Sequence, residues 1–436
     1  MADFARSESA AVQTELDRLA KLSPGGDRLG LDRITRLLDR LGRPQDRLPP
    51  VFHVAGTNGK GSTCAFLRSI LEAAGLTVHM FTSPHLVRFN ERIRIAGKQV
   101  GDDSLAALLR EVLDASEGIE PSFFEVTTAA AFLAFARTPA DACVIEVGLG
   151  GRLDATNVIA HPLVCGIAGL GIDHRQWLGR TIGEIAGEKA SIAKAGVPLV
   201  TQRYPPAAAQ QVQQKAEAAG APWIGRGALW ESRVIRGHIH YRDRLGAMNL
   251  PVPALAGRYQ SENAALAVAM LRNQHELAIG EAAFADGIRS ARWPARLQRL
   301  SAGPLANLLP RGSELWLDGG HNASAARLVA DHYRREFSDD LPLVIIFASL
   351  TSKDPRAMLK PFRGLASQVH CVPIPAHDHR SPDELAKLAG ELGFRSSANA
   401  GLAEALGRVN GRSRVLIFGS LYLAGQALRL NREIPH

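Results

Sequence analysis

Seven residues, Gly56-Thr57-Asn58-Gly59-Lys60-Gly61-Ser62, constrain this chain more than any other stretch of it. They follow the apolar run Val51-Phe52-His53-Val54-Ala55, which reads as a buried strand. They precede Phe66, Leu67, Ile70 and Leu71 at helical spacing, so a helix is predicted from residue 62 until Gly75 stops it. A glycine-rich turn between strand and helix lets successive backbone N–H groups converge on phosphate oxygens, and the helix N-terminus adds positive potential. Lys60 is placed to pair with the outer phosphates, and a hydroxyl from Ser62 or Thr63 to reach phosphate or its metal. The spacing departs from GxxxxGK[ST]: one glycine sits closer, and Gly61 separates the lysine from the hydroxyl. An isolated GxG is ordinarily a flexible turn, but the strand before, the helix after and the lysine within outweigh that reading.

The same alternation continues along the chain. Helix is expected over residues 9–41, broken at Ser23-Pro24-Gly25-Gly26, and strand over 77–81, 142–147 and 163–168. Further helices are expected at 126–136, 182–194, 206–219, 261–275 and 282–289, with Asp102-Asp103-Ser104 capping another that runs to Leu113. The polar, alternating stretch 231–249 reads as a hairpin. Strands alternating with helices at this density imply a mostly parallel sheet covered on both faces.

At 436 residues the chain exceeds one ordinary hydrophobic core, so two domains are expected. The composition breaks at Arg292-Trp293-Pro294 and again at Ser301-Ala302-Gly303-Pro304, after which the alternation restarts. We therefore expect a P-loop, parallel-sheet domain over residues 1–296 and a smaller Rossmann-like α/β domain over 297–436. Trp293-Pro294-Ala295-Arg296 is the hinge candidate. Hydrophobic residues at 46% and charged residues at 22% exclude a disordered or multi-span membrane chain. The 51 basic against 43 acidic residues give a net charge of +8, which suits an anionic ligand but also a plain solvated surface. Cys64, Cys143, Cys165 and Cys371 are few and far apart, so no disulfide framework is expected. With no apolar segment resembling a signal or membrane span, the expected location is the cytoplasm.

Two further clusters carry chemistry. In Glu146-Val147-Gly148-Leu149-Gly150-Gly151-Arg152-Leu153-Asp154-Ala155-Thr156-Asn157, Glu146 ends a buried strand, where open α/β sheets place ligand groups. Gly171-Ile172-Asp173-His174 lies at another strand end. A lone carboxylate or histidine is commonly structural. Here the two end strands that could be neighbours, which makes joint Mg²⁺ ligation a reasonable expectation.

In order, the chain also carries Thr82-Ser83-Pro84-His85-Leu86, Gly187-Glu188-Lys189-Ala190 and Leu317-Asp318-Gly319-Gly320-His321-Asn322. With GTNGKGS and EVGLGGRLDATN, these motifs make it closely resemble the bacterial dihydrofolate synthase/folylpolyglutamate synthase family, relatives of the Mur ligases. The resemblance runs from about Leu29 to Gly419-Ser420-Leu421-Tyr422. It implies an ATP- and Mg²⁺-dependent ligase that adds L-glutamate to dihydropteroate and to reduced folates through an acyl phosphate. Thr57, Asn58, Gly59, Lys60, Gly61 and Ser62 would bind ATP, with Asn263, and with Arg296 and Asp318 reaching the nucleotide across the domain boundary. Ser83, Glu146, His174 and a carbamylated Lys189 would hold two Mg²⁺ ions, with Lys60, Lys189 and His174 as the catalytic groups. Ser122, Phe123, Phe124, Glu125, Leu153, Asp154 and Ala155 would line the pterin pocket, near Leu29 and Gly30.

The chain departs from the family pattern at Glu188-Lys189-Ala190-Ser191-Ile192, at His321-Asn322-Ala323 and at the loop Gly25-Gly26-Asp27-Arg28. The last leaves the dihydropteroate contacts open, and a synthase for polyglutamates alone is the alternative. A Mur-type ligase usually carries an extra N-terminal domain, and only about fifty residues precede the P-loop here. A nucleotide switch or nucleic-acid binder would not need Glu146, His174 and Lys189 together with a second α/β domain. His377-Asp378-His379 reads as a solvated loop, and the arginines over 289–299 lack the interleaved aromatics of a nucleic-acid surface. The expected partners are small molecules, with no nucleic acid, no membrane and a monomeric chain.

Overall fold

A computed structural model describes residues 6–22, 29–337 and 340–435. The break expected at 23–26 and the divergent loop at 25–28 lie outside the described residues. The chain divides into two compact units, one of residues 1–254 and 260–292, the other of 255–259 and 293–436. The short segment Leu255–Tyr259 thus counts with the second unit, which no composition break announces.

The first unit opens with α1 (Ala10–Lys21), α2 (Asp32–Arg40), β1 (Val51–Ala55) and α3 (Lys60–Ala73). Next come β2 (Val78–Phe81), β3 (Ile93–Ile95), β4 (Lys98–Gln99), α4 (Asp102–Ala115), α5 (Phe123–Arg137) and β5 (Ala142–Glu146). β6 (Val164–Ile167) leads through the one-turn α6 (Arg175–Leu178) to α7 (Ile182–Ala190), β7 (Leu199–Thr201), α8 (Pro206–Ala219) and β8 (Trp223–Gly225). β9 (Trp230–Ile235), β10 (His238–Asp243), β11 (Gly246–Pro251), α9 (Arg258–Arg272) and α10 (Glu281–Ser290) follow.

Eight strands form one sheet in the order β4-β3-β2-β5-β1-β6-β7-β8, parallel from β2 onward, with β3 and β4 as an antiparallel edge. β1 and β5 are buried along their whole length, as continuous apolar runs in a doubly covered sheet must be. On the face bearing Val51, Cys143 and Ile145, the side chains pack with α1, α2, α4 and α5. Ala55, Cys165 and Ile167 continue that face under α7 and α8. Opposite, α10 lies so close to α3 that a Cβ on Gly287 would come within 2.6 Å of Ile70 N. The polar stretch read as a hairpin is a three-stranded antiparallel sheet, β11-β10-β9, whose second turn simply repeats the alternation.

The second unit carries β12 (Gln298–Leu300), β13 (Glu314–Asp318), α11 (Ala323–Glu336), β14 (Leu343–Phe347), α12 (Pro355–Leu359) and β15 (Ala366–Cys371). It ends with α13 (Pro382–Glu391), β16 (Arg395–Ala398), α14 (Leu402–Gly407), β17 (Arg414–Phe418) and α15 (Leu421–Leu430). The sheet order is β12-β13-β17-β14-β15-β16, all parallel except the edge strand β12. Both units are therefore α/β, as the alternation implies.

Candidate active site

β5 and β6 are not neighbours. β1 lies between them, pairing Val54 with Glu146 on one side and Gly166 on the other. The expectation that Glu146 and His174 end adjacent strands is thus corrected, and the correction brings the glycine turn itself to the centre. The chain leaves β1 toward β2 on one side and β5 toward β6 on the other. Their carboxyl ends border the crevice where open sheets bind ligands.

The turn after β1 is built by two left-handed glycines, Gly56 at φ 152° and Gly59 at φ 86°. A Cβ on Gly59 would collide with the buried amide of Asn263, itself held by a 3.0 Å bond from Asn263 Nδ2 to Gln260 Oε1. Thr57 N and Asn58 N donate to Gly169 O at 2.8 and 3.0 Å, and Thr57 Oγ1 donates to Gly171 O at 3.0 Å. These two residues thus brace the turn against the loop after β6 with their backbone N–H groups. The backbone donors left without intrahelical acceptors belong to Lys60, Gly61 and Ser62, in the first turn of α3, the geometry that suits an anion.

Around that turn stand charged and hydroxyl groups. Lys60 Nζ lies 3.7 Å from Glu146 Oε1, and Ser83 N donates to Glu146 Oε2 at 3.3 Å. The hydroxyls Ser62 Oγ and Thr63 Oγ1 are buried with no hydrogen-bond partner. Buried hydroxyls without partners are costly, and a phosphate oxygen or a hard cation would satisfy them. Mg²⁺ takes one or two carboxylates together with substrate phosphates, so Glu146, the hydroxyls and bound ATP fit it. Among the described residues no group of three His, Cys, Asp or Glu side chains forms a metal cluster, so such a cation would draw on other oxygens.

His174 has a left-handed backbone, φ 49° and ψ 41°, at the start of α6; its N–H donates to Asp173 Oδ1 at 2.8 Å. Lys189 sits in the last turn of α7, which ends four residues sooner than the periodicity suggests. Only 4% of Lys189 is exposed. Burial first, and the neighbouring Lys60 second, push its ammonium down to about 7, against the pull of Asp173, Asp154 and Glu188. Gly151 lies against this turn: a Cβ there would meet Glu188 O at 2.6 Å and Lys189 O at 2.9 Å. Arg152 seals the contact, with N donating to Glu188 O at 3.1 Å and Nε to Glu188 Oε1 at 2.9 Å.

Asp154 is buried and engaged within its own loop. Its carboxylate accepts from Leu149 N at 2.7 Å, Thr156 N at 3.0 Å and Thr156 Oγ1 at 2.5 Å. Burial nevertheless raises its pKa. Ser122 and Glu125 cap α5 reciprocally: Ser122 N donates to Glu125 Oε2 at 2.6 Å and Glu125 N to Ser122 Oγ at 3.2 Å. The S-x-x-E spacing was a visible signal for this earlier helix start. Arg33 Nε joins Glu125 Oε2 at 3.1 Å, tying α2 and the half-buried Leu29 and Gly30 before it to the α5 N-terminus. Phe124 covers Gly148, where a Cβ would lie 2.7 Å from Phe124 Cε1, and meets Phe81 at 5.9 Å. Phe123 and Ala155 are buried in the core beside it, with Leu153 half-buried.

In the second unit, Asp318 ends β13 and accepts from Leu297 N at 2.9 Å and Gly320 N at 2.7 Å. Burial raises its pKa, opposed by the Arg296 guanidinium. Burial, with the nearby Asp318 carboxylate, raises the pKa of the Tyr259 hydroxyl, a neighbour that sequence spacing gave no means of finding. Ala295 within the hinge candidate, at φ 55°, and Leu297 just after it, at φ 42°, hold left-handed backbone.

Comparison with known proteins adds the following. The sequence profile described as the C-terminal domain of dihydrofolate synthetase matches residues 305–430. A dihydrofolate synthase/folylpolyglutamate synthase of Bacillus subtilis is 37% identical over 79% of this chain and 81% of its own length. A folylpolyglutamate synthase of Lacticaseibacillus casei is 34% identical over 96% of each. Escherichia coli FolC in complex with DHPP and ADP superposes with a TM-score of 0.87 at 30% identity, covering 98% of this chain and 99% of that one. A bifunctional folylpolyglutamate synthase/dihydrofolate synthase with Mn, AMPPNP and L-glutamate bound gives 0.84 at 29%, over 97% and 99%.

Proposed function

The chain belongs to the dihydrofolate synthase/folylpolyglutamate synthase family, and on that premise we propose that a single site carries both glutamate additions. It is an ATP-dependent ligase that joins an acceptor carboxylate to L-glutamate. The acceptors in this reading are dihydropteroate and reduced folates, which the relatives named for both activities support.

The observation that carries the reading is the Lys60–Glu146 contact beside two buried, partnerless hydroxyls at the N-terminus of α3. A carboxylate oxygen of the acceptor attacks the γ-phosphorus of ATP, the bond to the β-γ bridging oxygen breaks, and ADP leaves. The glutamate nitrogen then attacks the acyl carbon, the C–O bond to phosphate breaks, and the nitrogen loses a proton as the amide forms. Lys60 and the first turn of α3 hold the phosphates and offset the charge developing on their outer oxygens. A bound divalent cation supplies further charge neutralisation at those oxygens. Glu146, with Ser83 and His174, holds it in this proposal, and Lys189 takes part in holding a second Mg²⁺ as a carbamate.

The environment of Lys189 supports that last point. Carbamate formation needs the neutral amine, and a lysine pushed down to about 7 is largely neutral from about pH 8 upward. Labelling with ¹³C-bicarbonate reads this directly: a carbamate resonance is expected in the wild type and absent from K189A. Its absence from both proteins would remove the carbamate from the mechanism.

The bifunctional reading is tested by phosphate release from Mg·ATP and L-glutamate with dihydropteroate, tetrahydrofolate or no acceptor. Release with both acceptors is expected. Release with tetrahydrofolate alone would reduce the activity to polyglutamate synthesis.

A further inference from the structure

Two large apolar side chains stand exposed on the loop that carries His174: Ile172 at 42% and Trp177 at 39%. Leaving a tryptophan in water one turn from His174 forgoes stabilisation, and such exposed rings commonly mark a place where a ligand stacks. Trp177 lies one turn beyond His174, its N–H donating to His174 O at 2.9 Å. The next residue, Leu178, is buried and anchors α6 to the glycine loop, where a Cβ on Gly150 would come 2.8 Å from Leu178 Cδ2. Two residues earlier in that loop, Gly148 is covered by the Phe124 ring. The loop therefore runs from the aromatic wall at Phe124 to the helix that presents Trp177.

We propose that Trp177, with Ile172, is the stacking face for the aryl ring of an acceptor whose reacting carboxylate is borne directly on that ring. This rests on the bifunctional reading above. In dihydropteroate the carboxylate to be phosphorylated sits on the ring. In a monoglutamyl folate the reacting γ-carboxylate is five bonds further out, about 6 Å along an extended chain. One helical turn, about 5 Å, separates Trp177 from His174. With the reacting carboxylate near His174, the aryl ring comes within reach of Trp177 in the first reaction and lies beyond it in the second. Trp177 is then a specificity-determining residue that favours the first glutamate addition.

The test compares wild type, W177A and W177F with dihydropteroate and with tetrahydrofolate. It reads kcat and KM for each acceptor, and dihydropteroate binding by calorimetry in the absence of L-glutamate. W177A is expected to raise the KM and Kd for dihydropteroate about tenfold, the loss of one good aromatic stack. Its kcat/KM for tetrahydrofolate should fall no more than about twofold, and W177F should recover most of the dihydropteroate loss. Equal losses for both acceptors, or an unchanged dihydropteroate Kd in W177A, would overturn the inference. A wild type that binds dihydropteroate through Trp177 but does not turn it over would instead overturn the bifunctional reading.

Discussion

Replacing Lys189 by methionine should stabilise the protein while abolishing its activity, and the size of the effect should depend on pH. The Lys189 ammonium is almost wholly buried and falls from an ordinary value of 10.5 to about 7 on folding. Below pH 7 both states hold the proton, and folding bears the full cost of burying it. Between 7 and 10.5 the unfolded chain binds more protons than the folded one, so stability rises with pH. At 1.36 kcal/mol per pH unit, the penalty is about 4 kcal/mol at pH 7 and about 2 kcal/mol at pH 9. A methionine of similar length has no such penalty and costs at most about 1.5 kcal/mol in repacking. Urea unfolding of both proteins, without nucleotide or metal and in carbonate-free buffer, measures the difference. The variant should be more stable at pH 7, and the gap should narrow by about 2 kcal/mol on going to pH 9. Parallel stability–pH curves would refute the reasoning, because repacking alone is independent of pH.

Three further outcomes follow from the same structure. G59A places a side chain at φ 86° against the Asn263 amide, so affinity for a fluorescent ATP analogue should fall at least about tenfold while the fold is retained. Asp243 and Arg272 form a half-buried bidentate pair, with both bonds at 2.7 Å, joining β10 to α9. D243N should therefore cost about 2 kcal/mol in unfolding experiments, with kcat/KM below the transition unchanged. Chelating divalent cations should abolish phosphate release, and Mn²⁺ should restore it.

Much of this architecture was readable from residue patterns. β1 and α8 fall on the residues their periodicity marks, because an apolar run or a helical stripe bounded by Gly or Pro leaves little choice. The short edge strands β3 and β4 escaped notice, as did β7, β8, β12 and β16. Strands of two to four residues carry too little alternation to distinguish them from loops. α5 starts three residues earlier than its alanine-rich apolar run from Val126 suggests, at the reciprocal cap that Ser122 and Glu125 form.

The chemical identity of the site belongs to the sequence. A lysine inside a glycine turn and a carboxylate at a strand end are recognisable one by one, because each depends on local backbone geometry. Their arrangement does not. Insertion of β1 between β5 and β6, and Thr57 and Asn58 turned toward Gly169, are settled by long-range pairing. The lowered pKa of Lys189 is likewise a product of burial and of neighbours distant in the chain. Local rules choose which groups are present. Sheet order and packing choose which of them meet, and in what dielectric, because those depend on contacts between segments far apart in sequence.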